Sequence, residues 1–129
     1  MAKKKLSTKE IENKAIECVE GYLKSRGEKP EITKKGIDVI SGEKWIEVKG
    51  SMKKETNLRT TWQTLKYVEK NDKLRDFFIY YVFDMESGNP KLLIFDHDTF
   101  EKYKLKEIRW IIQPRKIIRE TGKPEIIRL

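Results

Sequence analysis

The run Phe77-Phe78-Ile79-Tyr80-Tyr81-Val82-Phe83 constrains this chain more than any other feature. Its consecutive apolar and aromatic residues, all good strand formers, leave no polar face, so the run is expected to be a strand covered on both sides. A chain of 129 residues has room for one domain around such a strand. With 37% hydrophobic and 10% aromatic residues there is enough core-forming material to fold despite 39% charged residues. No apolar stretch approaches the ~18 residues needed to cross a bilayer, and the start, Met-Ala-Lys-Lys-Lys-Leu-Ser, lacks the apolar segment of a secretory signal. A soluble, cytoplasmic protein without a membrane partner is expected. The single Cys18 excludes an internal disulfide and a multi-cysteine zinc site.

Around this strand the elements fall in an order. Ser7-Thr8-Lys9-Glu10 is a capping box, Leu6 and Ile11 stand where a hydrophobic staple would pack, and Gly27 is a stop signal. Between them Ile11, Ala15, Ile16, Cys18, Val19, Tyr22 and Leu23 recur at helical spacing. Two short strands follow, Gly36 to Ser41 and Lys44 to Lys49, joined by Gly42-Glu43, the composition of a two-residue type II′ hairpin. Thr60 to Lys73 reads as a second helix. Ser87-Gly88-Asn89-Pro90 turns the Phe77 strand into Lys91 to Phe95, a short helix is expected near Thr99 to Tyr103, and Ile108 to Ile112 reads as one more strand before an irregular tail. Helix, strand pair, helix, strand pair makes an α/β domain with a mixed sheet flanked by helices.

The net charge of +8 favours a polyanionic partner. Residues Lys3, Lys4 and Lys5 form a basic amino-terminal arm over 1–5. Residues 113–129 form a basic tail, in which Arg115, Lys116, Arg119, Lys123 and Arg128 outweigh Glu120 and Glu125 by three. Most of the excess charge therefore sits at the two ends.

The hairpin carries the chemistry. Counted outward from Gly42-Glu43, Ile40 faces Trp45, Val39 faces Ile46 and Asp38 faces Glu47. Like charges directly opposite one another are destabilising, so a sheet built for stability alone would avoid this pair; a divalent cation between them reverses the sign. Period-2 alternation puts Lys49 on the same face as Glu47 and sends Ile46 and Val48 to the other. On the first helix Glu12 falls inside the apolar arc with Val19 and Leu23, whereas Glu10, Glu17 and Glu20 fall outside. A core-facing carboxylate is costly unless paired or metal-bound, and Glu12 is thereby expected to join Asp38 and Glu47.

Gly36-Ile37-Asp38-Val39-Ile40 followed by Ile46-Glu47-Val48-Lys49-Gly50 resembles the core of the PD-(D/E)xK nucleases, which include restriction endonucleases, archaeal Holliday-junction resolvases and Mrr-type enzymes. Within that superfamily, the stretch from about Ile11 to Asp96 looks like a NO VEIN C-terminal type of domain. The resemblance implies a restriction-endonuclease-like core and a metal-dependent DNA endonuclease that leaves 5′-phosphate ends. It makes Asp38 and Glu47 the metal ligands, with the Val48 carbonyl as a further one. Lys49 becomes the residue that orients or activates water, and Glu12 an accessory acid. Gln63 and Tyr67 resemble the Gln-x-x-x-Tyr element on the second helix of RecB-like members, where it helps fix the active site. Ile37 stands where the nominal motif has Pro. An all-oxygen site suits Mg²⁺, with Mn²⁺ as substitute.

Lys53, Lys54 and Arg59, which follow the active strand, are candidate phosphate contacts together with Arg115 and Lys116 of the tail. Duplex or branched DNA is expected ahead of RNA, and cutting two strands with one-site subunits would call for a homodimer. The competing class is a non-catalytic nucleic-acid-binding module of the same fold in a restriction, repair or defence complex.

Overall fold

The structure is a computed structural model that describes residues 6–33, 36–54, 58–59, 62–98, 111–112 and 114–129. The arm at Lys3 to Lys5 and the helix expected near Thr99 to Tyr103 lie outside the described residues.

Helix α1 (Thr8–Ser25) begins at the capping box: Ser7 Oγ accepts the Glu10 N–H at 3.1 Å, and the Glu10 carboxylate accepts the Ser7 N–H at 3.5 Å. It ends in a Schellman motif. Gly27, at φ +80°, sends its N–H to the Lys24 carbonyl, and the Glu28 N–H returns to that of Leu23. The edge strand β1 (Glu31–Ile32) follows, then β2 (Val39–Ser41) and β3 (Lys44–Gly50). The register of β2 on β3 is the one counted from the turn: Val39 opposite Ile46, Ile40 opposite Trp45, Ser41 opposite Lys44. Gly42 has φ +59° and Glu43 a negative φ, which is the type II′ pattern.

A parallel partner for β3 requires a crossover, and α2 (Trp62–Lys70) supplies it. The Phe77–Phe83 run is β5, parallel to β3 from Trp45 opposite Phe77 to Gly50 opposite Val82. Strand β6 (Lys91–Phe95) runs back antiparallel. Two further pieces, β4 (Leu58–Arg59) and β7 (Ile111–Ile112), pair with each other before α2 and before α3 (Pro114–Thr121). Last, β8 (Ile127–Arg128) adds to the edge of β6. The sheet is six-stranded and mixed, in the order β1-β2-β3-β5-β6-β8, an arrangement compatible with a restriction-endonuclease-like core.

Both faces of the sheet are dry. Ala15, Val19 and Leu23 of α1 pack on Val39, Ile46, Val48, Tyr80, Val82 and Leu92. On the other side Val68 of α2 and Ile117 of α3 pack on Phe77, Ile79, Tyr81, Phe83, Leu93 and Phe95. The alternation along β5 between these two clusters is why its sequence has no polar face. Among the described residues, no helix is long and apolar enough to cross a membrane.

The tail corrects its sequence reading. Residues 114–128 are not an irregular basic appendage: α3 closes one core and β8 completes the sheet, while Arg115, Lys116 and Arg119 stay on the exposed side of α3. Amphipathic spacing over eight residues is too short to stand out beside so many cations. Because Ile117 is 1% exposed, Ile117→Ala should cost about 2–5 kcal/mol of stability in urea titrations. A loss below about 0.5 kcal/mol would mean that α3 is not part of the core.

Candidate active site

The hairpin and α1 meet at one end of β3. A Cβ built on Gly50 would lie 2.7 Å from the Ala15 Cβ and 3.3 Å from the Ile11 carbonyl oxygen, closer than any larger residue permits. The missing side chain lets α1 cross the end of the strand in direct contact. Glu12, next to Ile11, consequently comes to border the same space as Asp38, which precedes β2. Between them opens a cleft of about 800 Å³ whose wall includes Glu12, Asp38, Glu47, Val48 and Lys49.

The hairpin holds Asp38, Glu47 and Lys49. Asp38 immediately precedes β2, where its N–H donates to the Ile46 carbonyl at 3.2 Å. Its Oδ2 accepts the Val48 N–H at 2.8 Å, so the carboxylate takes the place of a strand residue at the end of the ladder. Glu47 is buried, at 8% exposure, and Lys49 Nζ stands 3.4 Å from its Oε1. Burial pushes the Asp38 carboxyl above the ordinary carboxylate range; the Val48 N–H opposes the shift, the charge of Glu12 adds to it and that of Lys49 reduces it. Four charged groups, from α1, from β3 and from the residue before β2, thus act on one another across the cleft.

Glu12 departs from its expected environment. It is exposed rather than on the core stripe, which is occupied by Ala15, Val19 and Leu23. A helical wheel separates inside from outside, but it does not separate a core from a cleft that the same helix borders. Among the described residues, no three His, Cys, Asp or Glu side chains stand close enough to form a metal-holding group, so Glu12 does not complete a carboxylate triad with Asp38 and Glu47.

The remaining expected residues lie elsewhere. Tyr67 stands behind the cleft wall, its ring stacked on Trp45 at 5.5 Å between centroids. Gln63 is on α2 and Arg59 on β4, with side chains outside the described part of the structure. Lys53 and Lys54 are exposed in the turn after β3, where the Lys53 carbonyl accepts the Asp84 N–H at 2.6 Å. Arg115 and Lys116 are exposed on α3. The cleft also contains residues not singled out from the sequence: Lys9 and Asn13 from α1, Thr33, and Thr64 from α2. Lys9 and Asn13 flank Glu12 at i−3 and i+1, a signal that helical spacing offers once Glu12 is placed.

The raised Asp38 has a thermodynamic signature. A carboxyl whose folded-state pKa exceeds its unfolded value contributes stability that is fully present below the unfolded value and lost as pH rises through the folded one. Asp38→Asn, which keeps an acceptor for the Val48 N–H, should therefore match the wild type in acid and melt at a higher temperature at neutral pH. Melting curves from pH 4 to 8 test the sign: a variant that loses ground as pH rises would reverse it.

A search among curated proteins returns no match. A family model does match, over residues 11–95, which spans nearly all of α1 to the end of β6 and includes Glu12, Asp38, Glu47 and Lys49. That stretch is most of the chain, and with the cleft inside it the protein belongs to the family described as Protein NO VEIN, C-terminal.

Proposed function

We propose that the cleft is a metal-dependent phosphodiesterase site of the PD-(D/E)xK type and that the protein is a DNA endonuclease. The observation that carries this reading is the meeting of Asp38, Glu47 and Lys49 in one cleft, with Asp38 just before β2, Glu47 on the neighbouring β3 and the lysine 3.4 Å from Glu47. A fold that needed only stability gains little from a buried glutamate beside a half-buried aspartate.

The donor set fits magnesium. Mg²⁺ prefers oxygen ligands and is commonly held by one or two carboxylates, completing its shell with water and substrate phosphate. Asp38 and Glu47 provide the carboxylates. The Val48 carbonyl is the third candidate, because the N–H and C=O of one strand residue share an edge and the Val48 N–H points at Asp38. When bound, such an ion polarises a phosphodiester and lowers the pKa of a coordinated water. The chain's own contribution is positional: Asp38 is fixed by the Val48 amide, and Lys49 places a cation where negative charge grows on the phosphate oxygens. The oxygen of water bonds to phosphorus and gives up a proton to solvent, the bond to the 3′ oxygen breaks, and that oxygen takes a proton from solvent to leave as a 3′-hydroxyl opposite a 5′-phosphate. Glu12, exposed on the rim, faces the cleft as an accessory acid.

Cleavage of supercoiled, linear and branched DNA in Mg²⁺, Mn²⁺ or EDTA tests the reading. Lys49→Ala and Asp38→Asn should each lower the rate by about 100-fold or more with DNA binding retained. Wild-type protein that binds DNA but cuts no nucleic acid with either metal would overturn catalysis in favour of a binding module.

Phosphate contacts are the second proposal. If Lys53, Lys54, Arg115 and Lys116 engage about four phosphates, log K should fall with log salt at a slope of roughly −4. Lys53→Glu with Lys54→Glu, or Lys116→Glu alone, should flatten that slope. Charge substitution leaves α3 in place, which matters because its Ile117 belongs to the core. Unchanged slopes in both variants would remove these residues from the interface.

A further inference from the structure

Gly36 lies on the wall of the cleft two residues before Asp38, and it is a glycine for two separate reasons. Its φ of +67° is in the left-handed region that L side chains rarely adopt. A Cβ there would also meet the Tyr67 ring at 2.7 Å from Cδ1 and 2.8 Å from Cγ. The backbone of Gly36 thus rests against the aromatic ring, too close for any side chain between them.

The same ring stacks on Trp45, at 5.5 Å between centroids and 26° between planes. Trp45 precedes Glu47 by two residues on β3 and so shares its face of the sheet. Beside Gly36, Ile37 is 5% exposed in the same core as Val68, the residue after Tyr67. From there the chain enters Asp38, whose N–H is on the Ile46 carbonyl and whose carboxylate is on the Val48 N–H. Among the described residues, the Tyr67 hydroxyl has no hydrogen-bond partner, and Tyr67 is not part of the cleft wall.

We infer that Tyr67 is a positioning residue that acts through its ring: braced on Trp45, it holds the Gly36 turn so that the Asp38 carboxylate stays seated on the Val48 amide and faces the cleft. The ring is a flat stop for Gly36, and the next residue, the buried Ile37, anchors the chain in the core on which Trp45 packs. A shape-matched apolar ring does this work, and the hydroxyl does not. The effect on Asp38 stands by itself; the effects on Mn²⁺ binding and cleavage rest on the phosphodiesterase reading.

The Val48 amide is the reporter, since its hydrogen bond is made to Asp38 itself. Hydrogen exchange at Val48 is measured by NMR in the full chain for the wild type, Tyr67→Phe, Tyr67→Leu and Gly36→Ala, with the Val82 amide in β5 as the reference for global opening. Mn²⁺ affinity and DNA cleavage are measured on the same four proteins. Tyr67→Phe should stay within about twofold of wild type in all three readouts. Tyr67→Leu and Gly36→Ala should speed Val48 exchange relative to Val82 and weaken Mn²⁺ binding and cleavage by about 10- to 100-fold, the usual range for groups that orient ligands.

If Tyr67→Leu does not fold, Gly36→Ala carries the same comparison from the opposite side of the contact. The inference is overturned if Tyr67→Phe behaves like Tyr67→Leu, which would assign the role to the hydroxyl. It is equally overturned if the Leu and Gly36→Ala proteins fold with Val48 exchange unchanged. A Val48 response in a protein whose wild type neither binds Mn²⁺ nor cuts DNA supports the positioning role while removing the nuclease reading.

Discussion

The pairing register of β2 on β3 is the constraint on which the rest depends. A strand's side chains alternate faces, so a slip of one residue would turn Ile46 and Val48 away from α1 and put Glu47 and Lys49 into a dry core. The two-residue turn at Gly42-Glu43 forbids that slip, because its left-handed glycine fixes which residues leave the loop as partners. One backbone angle in a tight turn thereby decides both where the core is and where the charges meet. The parallel pairing of β3 with β5 makes the decision permanent, since β3 then has a neighbour on either side.

The cleft itself exists because two helical layers stop short of one another around the end of β3. On one side the absence of a side chain at Gly50 admits α1, bringing Glu12 over the edge of the sheet. On the other, Thr64 of α2 reaches the same space. The strand that would have filled the gap ends at Asp38, which bonds a main-chain amide with its side chain instead of continuing the ladder. Carboxylates gather here because this is a place where the sheet has ended and the helices have not covered it. Burial holds Asp38 partly toward its neutral form, and a lysine and an exposed glutamate act on it in opposite directions.

Much of this was legible in the residues. The capping box, the hairpin register and β5 each rest on a local rule with one dominant cause, and each stands where that rule puts it. What escaped reading depends on long-range pairing. Strands β1 and β8 are two residues long, below the length at which alternation can be recognised, and they are strands because β2 and β6 offer them an edge. Helix α3 hid among cations whose sum suggested a loose tail. Glu12 was legible as unusual but misplaced, because periodicity reports a helix face and not what lies opposite it.

The sixth strand has a consequence for the edge that it covers. Strand β8 lies well after the matched region in sequence, and it covers the outer edge of β6 at Lys91 and Leu92. Without residues 127–128 the sheet would end in the sequence Lys91-Leu92-Leu93-Ile94-Phe95, an apolar strand with an unpaired row of amides and carbonyls. Such an edge is a template for pairing with other chains. By pairing with Lys91 and Leu92, β8 moves the border of the sheet at that point from an apolar strand to a two-residue one that carries Arg128.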